Sequence, residues 1–200
     1  MRDLLVATNN KGKVVELSAL LGGAPVNLRY LSELANITEV EESASTFAGN
    51  AKLKASGYAV QSGMTAIADD SGLEIEALDG RPGVFSARYG GDNTGFDEKM
   101  AIVLSELAET GDIERHARFV CAAVISDESG RIIFESEGVC HGRIAEFPRG
   151  TGGFGYDPIF IPDGFDQTFG ELSTAIKLEI SHRARAFCKI IPFLRDFIAV

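Results

Sequence analysis

Two adjacent carboxylates, Asp69 and Asp70, follow a short apolar run and stand before Ser71 and a glycine. Neighbouring carboxylates repel each other and lose hydration on burial, so this pair favours a bound cation or a shared proton. With Glu41 brought near, the site would offer hard oxygen ligands for Mg²⁺ and leave positions for phosphate oxygens and water. The alternative is a DDSG turn whose aspartates cap backbone groups. For Glu41 and Glu42, taken alone, a solvated acidic loop is the simpler interpretation.

A polar turn, Thr8-Asn9-Asn10-Lys11-Gly12-Lys13, connects a predicted buried strand to a predicted helix. The backbone N–H groups and the positive dipole end at a helix start attract anions. The turn is therefore a candidate phosphate site, although the P-loop spacing GxxxxGK[ST] is absent. A solvated turn between a strand and a helix is the alternative.

The glycine-rich segment 150–157 would allow the backbone to approach a flat ligand closely. Phe154 could stack on a nucleobase, and Asp157 could accept a hydrogen bond from it. The alternative is a flexible loop whose aromatic side chains are packed into the core. His182 and Arg183 stand at a predicted helix start, where they either donate to a ligand carbonyl or form a capping turn with an exposed arginine.

The composition excludes several classes of protein. A net charge of −10 over 200 residues argues against nucleic-acid binding, which draws most of its affinity from clustered Lys and Arg. No apolar run approaches the length of a membrane span, and the three widely spaced cysteines indicate neither a disulfide framework nor a zinc finger. We therefore expect a soluble cytoplasmic protein that binds neither membrane nor nucleic acid.

Strand and helix patterns alternate along the chain, which predicts a mixed α/β sheet in a single domain over residues 1–200. The predicted strands are Asp3 to Thr8, Leu28 to Leu31, TAIAD ending at Asp69, Phe119 to Ile125 and Ile132 to Glu137, the last two forming a hairpin. The first predicted helix contains Val14, Leu17 and Leu21 and is stopped by Gly22 and Gly23. The second follows a Ser45 or Thr46 cap, has Phe47, Ala51, Ala55 and Tyr58 on one face, and ends at Gly63. The third contains Met100 to Leu107 and is closed by Gly111, and a C-terminal helix follows Ser181. The glycine of DDSG is expected to turn the chain directly after the two aspartates.

Five segments together resemble the inosine/xanthosine triphosphate pyrophosphatase family, and in the family's order. They are TNNKGK, ESASTFAGNAKLKA, IADDSGLEIEALDGRPGVFSARY, GTGGFGYDPIF and ISHR. The resemblance covers nearly the whole chain, and the two segments around DDSG and GGFGYDPIF are specific because so many of their positions are constrained. It implies an elongated mixed β-sheet flanked by helices, with two lobes, a central cleft and a homodimeric working form.

The resemblance also implies roles for single residues. Asp70 falls on the general base and, with Glu41, on the metal-binding positions. The implied substrate-binding residues are Thr8, Asn9, Asn10, Lys11, Gly12, Lys13, Ser71, Phe154, Gly155, Tyr156, Asp157, Lys177, His182 and Arg183. The first six would hold the triphosphate, and those from Phe154 onward would hold the nucleobase and sugar.

The implied reaction is Mg²⁺-dependent hydrolysis of deaminated purine nucleotides such as ITP, dITP and XTP to the monophosphate and pyrophosphate. Water would attack the α-phosphorus, with Asp70 as the base. A donor from His182 or Arg183 to the 6-keto oxygen would discriminate against adenine, which carries an amino group there. The alternatives are a related pyrophosphatase of other base specificity and a nucleotide-binding sensor without turnover.

Overall fold

Strands and helices alternate along the chain, as the sequence predicts. The computed structural model describes residues 2–91 and 93–198. The strands are β1 (Arg2–Val6), β2 (Val26–Tyr30), β3 (Ala66–Ile75), β4 (His116–Ser126), β5 (Ile132–Ile144) and β6 (Phe160–Pro162). The helices are α1 (Lys11–Leu21), α2 (Phe47–Ser62), α3 (Phe96–Thr110), α4 (Thr174–Ile180) and α5 (His182–Ile198). The predicted α/β class is confirmed.

The strands form a sheet in the order β2-β1-β3-β4-β5-β6. β1 is parallel to both of its neighbours, so that Val6 lies opposite Tyr30 of β2 and Ile67 of β3. β5 and β6 are antiparallel, with Arg143 opposite Ile161. The sheet is mixed, as predicted.

The chain divides into two compact units. The first unit comprises the described residues up to Asp70, together with Cys121–Gly138 and the described residues from Arg183 onward. One apolar cluster forms its core, and the fully buried members include Val6, Leu17, Ile67, Phe187 and Ile190. Because these side chains come from β1, α1, β3 and α5, burying them holds those four elements together, at about 1.5–3 kcal/mol for each large side chain.

The second unit comprises Ser71–Val120 and Val139–His182 and has its own core. Its apolar cluster includes Leu73, Val103, Phe119, Ile159 and Phe160. Phe119 and Phe160 are in aromatic contact, with ring centroids 4.6 Å apart. β3, β4 and β5 contribute residues to both units, and the single domain over residues 1–200 stays a prediction.

Polar and glycine signals place the helix ends where the sequence predicts them. Thr46 caps α2, because its side-chain oxygen accepts a hydrogen bond from Gly49 N at 3.1 Å. Gly63 ends the same helix with φ of 64°, a left-handed conformation that glycine adopts without a steric penalty. Gly111 ends α3 in the same way, with φ of 71°. The predicted β4–β5 hairpin is also confirmed, since Asp127 N donates to Arg131 O at 2.9 Å.

The predicted turn at DDSG is wrong. β3 continues from Ala66 through Asp69, Asp70 and Ser71 to Ile75 without a break. Asp, Ser and Gly have low strand propensity, but pairing in a sheet overrides that preference, and β3 lies beside the long strand β4. The carboxylates are thus not at the end of β3. They come directly after the part of β3 that pairs with β1, which has its last paired residue at Ile67.

Two short elements have no counterpart in the sequence prediction, namely α4 and the three-residue strand β6. Neither is long enough to show a periodic apolar pattern. None of the described helices combines the length with the apolar composition that a membrane-spanning helix requires.

Candidate active site

The predicted phosphate turn in the first unit has the geometry of a helix start. β1 ends at Val6, and α1 begins at Lys11 with Asn10 as its N-cap. The Asn10 side chain accepts a hydrogen bond from Lys13 N at 3.1 Å, and Asn10 N donates to Thr8 Oγ1 at 3.2 Å. These two bonds order an exposed turn at the positive end of the helix dipole, which is a suitable place for an anionic group.

Asp69 is held in a buried network of charges in the first unit. Its Oδ2 lies 3.1 Å from Lys13 Nζ and 3.3 Å from both Nε and Nη2 of Arg183. The remaining terminal nitrogen of Arg183, Nη1, is paired with Glu16. Lys13 Nζ also donates to the backbone oxygen of Asp69 at 3.2 Å. The network therefore connects α1 and α5 to β3 through alternating charges.

These contacts keep Asp69 and Arg183 ionised. Burial by itself raises the pKa of Asp69, but the charges of Lys13 and Arg183 outweigh it and hold that pKa well below its usual range. Burial likewise lowers the pKa of Arg183, and Asp69 and Glu16 more than reverse the effect. Asp69 is thus a permanently charged partner of two cations rather than a proton acceptor.

Asp70 has a different set of partners, because successive side chains of a strand point to opposite faces. Asn50 Nδ2 donates to its Oδ2 at 3.2 Å, and Lys54 Nζ donates to its Oδ1 at 3.1 Å. Burial raises the pKa of Asp70 above its ordinary value; the charges of Lys54 and Lys13 oppose the rise, and Glu42 adds to it. A buried carboxylate with a raised pKa suits a general base.

The acidic loop before α2 reaches the same lysine. Glu42 Oε1 lies 3.2 Å from Lys54 Nζ, whereas Glu41, the predicted metal ligand, is exposed. Further along the loop, Ala44 N donates to Asn50 Oδ1 at 2.9 Å. Of the two neighbouring glutamates, the structure therefore places Glu42 beside the partners of Asp70.

The two carboxylates beside Lys54 are the oxygen ligands that could hold a divalent cation. Glu42 Oε1 and Asp70 Oδ1 lie 3.2 and 3.1 Å from the Lys54 ammonium group, so both carboxylates are close to one positive charge. Among residues 2–91 and 93–198, no group of three or more His, Cys, Asp or Glu side chains could hold a metal by itself. Two carboxylates are the usual protein contribution to a Mg²⁺ site that is completed by phosphate oxygens and water.

The glycine-rich segment in the second unit is organised around Asp157. Its Oδ2 accepts a hydrogen bond from Phe154 N at 2.7 Å and pairs with Lys177 Nζ. The same ammonium group lies 4.9 Å from the centre of the Phe154 ring, in cation–π range. A Cβ on Gly153, which has φ of 69°, would stand 2.0 Å from Asp157 Oδ2, so only glycine fits there. The segment is an ordered loop that presents Phe154, rather than a flexible one.

Two further predicted residues of the second unit are buried. The rings of Tyr156 and Phe96 pack edge to face, with their centroids 5.5 Å apart. The Tyr156 hydroxyl donates a hydrogen bond to Ser86 O at 3.0 Å. His182 stacks on Phe119, with ring centroids 4.7 Å apart. Tyr156 therefore supports the loop from within the core, while the orientation of the His182 ring is set by stacking on Phe119.

The structure thus brings the predicted residues into two local groups. In the first unit, Lys13 lies with Asp69, and Asp70 lies with the α2 residues Asn50 and Lys54. In the second unit, Asp157 joins Phe154 to Lys177. Ser71 follows Asp70 within β3. Its predicted substrate contact stays a prediction, as do the catalytic and substrate-binding roles of the other predicted residues, including Asn9, Lys11 and Gly12 of the turn and Gly155 of the loop.

Sequence reasoning did not assign Asn50, Lys54 and Glu16 to the site. The spacing of Asn50 and Lys54, four residues apart on one face of a predicted helix, was the available signal. This spacing shows that the two side chains lie on the same face of the helix, but not which residues they contact. Glu16 gives no comparable signal, because a lone glutamate in a helix is usually solvated.

The comparison with known proteins supports one family. The family model described as the Ham1 family matches residues 4–193. A protein of Nostoc sp. named dITP/XTP pyrophosphatase is 45% identical over 190 residues, which cover 94% of this chain and 92% of that protein. A protein of the same name from Geobacter sulfurreducens is 46% identical over 186 residues, covering 93% of each.

Solved structures agree with this result. A HAM1 protein from Coxiella burnetii superimposes with a TM-score of 0.89 at 37% identity, covering 98% of this chain and 100% of that one. The Ham1 protein of Staphylococcus aureus gives a TM-score of 0.86 at 37% identity, with the same coverage. These similarities extend over the whole fold rather than one unit of it.

Removing the arginine of the buried network is expected to destabilise the protein. Arg183→Met would leave Glu16 and Asp69 buried beside an uncharged side chain, which costs about 3–5 kcal/mol of unfolding free energy. Urea denaturation followed by circular dichroism measures this loss. The control is Arg195→Met on the exposed surface of α5, for which a change of about 0.5 kcal/mol or less is expected. Equal losses in both variants would contradict the structural role of the network.

The loop around Asp157 is expected to depend on the absence of a side chain at Gly153. Gly153→Ala and Gly164→Ala both place alanine at a left-handed position, with φ of 69° and 84°, at a cost of about 1–2 kcal/mol each. Only Gly153→Ala also forces Asp157 away from Phe154 N and Lys177, which adds about 1–3 kcal/mol. Chemical denaturation of both variants measures the difference, and indistinguishable losses would contradict the proposed tight approach.

Proposed function

The chain belongs to the Ham1 family, and from this premise we propose that it hydrolyses the triphosphates of deaminated purines to the nucleoside monophosphate and pyrophosphate. The substrates are dITP, ITP and XTP. The observation that carries the proposal is the setting of Asp70, a buried carboxylate held by two donors of α2 in the same unit as an exposed helix start suited to an anionic group. The names of the relatives supply the substrate class.

The first unit supplies the groups for phosphate chemistry. The turn 8–12 and Lys13 hold the triphosphate through backbone N–H groups, the dipole of α1 and one ammonium charge. Asp70 orients the attacking water and takes its proton, since burial has raised its proton affinity. Charge that develops on the leaving pyrophosphate is stabilised by Lys13 and the helix start, and such preorganised electrostatics contribute a large part of catalysis.

We assign the metal ligands to Asp70 and Glu42, since Glu42 rather than Glu41 lies beside Lys54. Nucleotide pyrophosphatases of this family typically need a divalent metal, and Mg²⁺ is the ion that two carboxylates and phosphate oxygens suit best. When bound, it neutralises phosphate charge and polarises the reacting phosphoryl group. The role predicted for Glu41 stays a prediction.

The loop of the second unit holds the nucleobase and sugar. Phe154 offers a ring for stacking, and the paired Asp157 and Lys177 offer an acceptor and a donor. The donor to the 6-keto oxygen comes from His182 or Arg183. Arg183 would have to exchange a charged carboxylate partner for a neutral carbonyl, and this cost favours His182.

The proposal includes a cytoplasmic location and a homodimeric working form. The three cysteines, two of them buried, form no disulfide within the described part of the chain, as is usual in a reducing compartment. The acidic net charge of −10 speaks against nucleic acid as a partner.

Pyrophosphate release from a panel of triphosphates tests the reaction, the specificity and the metal together. We expect the rates on dITP and XTP to exceed the rate on dATP by about 5- to 150-fold for each donor–acceptor contact that adenine cannot make. Adenine has an amino group, a donor, where the deaminated bases have a keto oxygen, so a protein donor at that position is left without an acceptor. Excess EDTA should abolish turnover, and added Mg²⁺ should restore it. Highest activity on a pyrimidine would indicate other base specificity, and absence of pyrophosphate from every substrate would indicate a binding protein.

Replacing the proposed base is expected to remove activity without unfolding the protein. Asp70→Asn keeps an oxygen for Lys54, loses the hydrogen bond from Asn50 and cannot take a proton, so kcat should fall by about 10²- to 10⁴-fold. Circular dichroism should stay unchanged. The control is Asp163→Asn, an exposed residue of the second unit, which should retain full activity. A near-normal rate for Asp70→Asn would exclude Asp70 as the base.

A further inference from the structure

Asn50 connects the two elements that carry the proposed metal ligands. Its side chain is fully buried within α2. Oδ1 accepts a hydrogen bond from Ala44 N at 2.9 Å, and Nδ2 donates to Asp70 Oδ2 at 3.2 Å. Ala44 belongs to the acidic loop, two residues after Glu42. One amide group therefore contacts both the loop that carries Glu42 and the strand that carries Asp70.

The chemistry of its partners fixes the orientation of this amide. A backbone N–H can only donate, and an ionised carboxylate can only accept. If the amide were turned over, Nδ2 would face the N–H of Ala44 and Oδ1 would face Asp70, so both bonds would be lost. Neither a carboxylate nor an aliphatic side chain at position 50 could make both contacts.

The start of α2 is shaped to bring the loop close to Asn50. A Cβ on Gly49 would stand 2.6 Å from the Cβ of Ala44 and 3.0 Å from Thr46 Oγ1, so the absence of a side chain there permits the approach. Thr46 in turn caps the helix by accepting from Gly49 N. The loop is thus held against the first turn of α2, next to the Asn50 amide.

We propose that Asn50 is a positioning residue that sets the separation of the Glu42 and Asp70 carboxylates and so prepares them to bind a divalent cation. It acts through its two hydrogen bonds and not through contact with substrate. The inference rests on the proposed function for the identity of the two ligands.

Gln61 provides a matched control on the same helix. It also binds the loop through both ends of an amide, since Thr38 N donates to its Oε1 at 2.7 Å and its Nε2 donates to Thr38 O at 3.1 Å. Gln61 is exposed and holds the loop at Thr38, four residues before Glu42. Loss of Gln61 therefore loosens the loop without breaking the connection to Asp70.

The first experiment measures Mg²⁺ binding by calorimetry with no nucleotide present. Asn50→Ala removes both hydrogen bonds, and we expect an affinity about 10- to 100-fold lower than that of the wild type, as is usual when a ligand loses its support. Amide hydrogen exchange should show loss of protection at Ala44. Gln61→Ala should keep the Mg²⁺ affinity within about twofold. Wild-type affinity in Asn50→Ala, or an equal loss in Gln61→Ala, would overturn the proposal.

A second variant tests the hydrogen bond to Asp70 separately from the hydrogen bond to Ala44. It also tests the proposal if Asn50→Ala does not fold. Asn50→Asp keeps an acceptor for Ala44 N but cannot donate to Asp70. We expect Ala44 to stay protected, kcat on dITP to fall about tenfold or more, and KM to change less than about threefold, because the phosphate turn is untouched. Wild-type kcat in this variant would contradict the positioning of Asp70.

An inactive wild-type protein would leave the test of Asn50 intact. If the wild-type protein released no pyrophosphate from any nucleotide, the proposed reaction would be wrong. The Mg²⁺ affinities and the protection of Ala44 would still test Asn50, since neither measurement requires turnover.

Discussion

Two negative charges buried side by side on one strand are the constraint that organises the first unit. Asp69 and Asp70 can both stay ionised there only if each finds its own cations, and the alternation of side chains along β3 makes this possible. Asp69 takes Lys13 and Arg183 on one face, and Asp70 takes Lys54 on the other. The same two charges thereby connect α1, α2 and α5 to the strand.

The division of partners also separates two chemical roles. Asp69 is surrounded by so much positive charge that its pKa falls well below the usual range, and it serves as the anchor of Lys13. Asp70 has a raised pKa and lies beside a second carboxylate, that of Glu42. A hydrolase that works on polyphosphate needs both kinds of group: a fixed cation for the anion, and a carboxylate that can take a proton or hold a metal.

Much of the architecture could be predicted because local signals and tertiary packing agree. Thr46 and Gly63 mark the ends of α2, and the apolar spacing of Phe47, Ala51 and Tyr58 predicts the face that is buried. The strand that contains DDSG was mispredicted as ending at Asp69, since local propensity favours a turn there and only a neighbouring strand can override it. The short elements α4 and β6 are also set by packing rather than by any pattern of their own.

The residue types at the site could be read from the chain before folding is considered: a polar turn before a helix, a pair of aspartates and a glycine-rich loop, in the order of a known family. Which charges meet is settled by the fold. That Glu42 rather than Glu41 reaches Lys54, and that Arg183 is paired with Glu16 and Asp69, depends on helices brought together from distant parts of the chain. Contacts between charged residues that lie far apart in the sequence follow from the packing of apolar faces. They therefore cannot be predicted from the spacing of residues in the sequence.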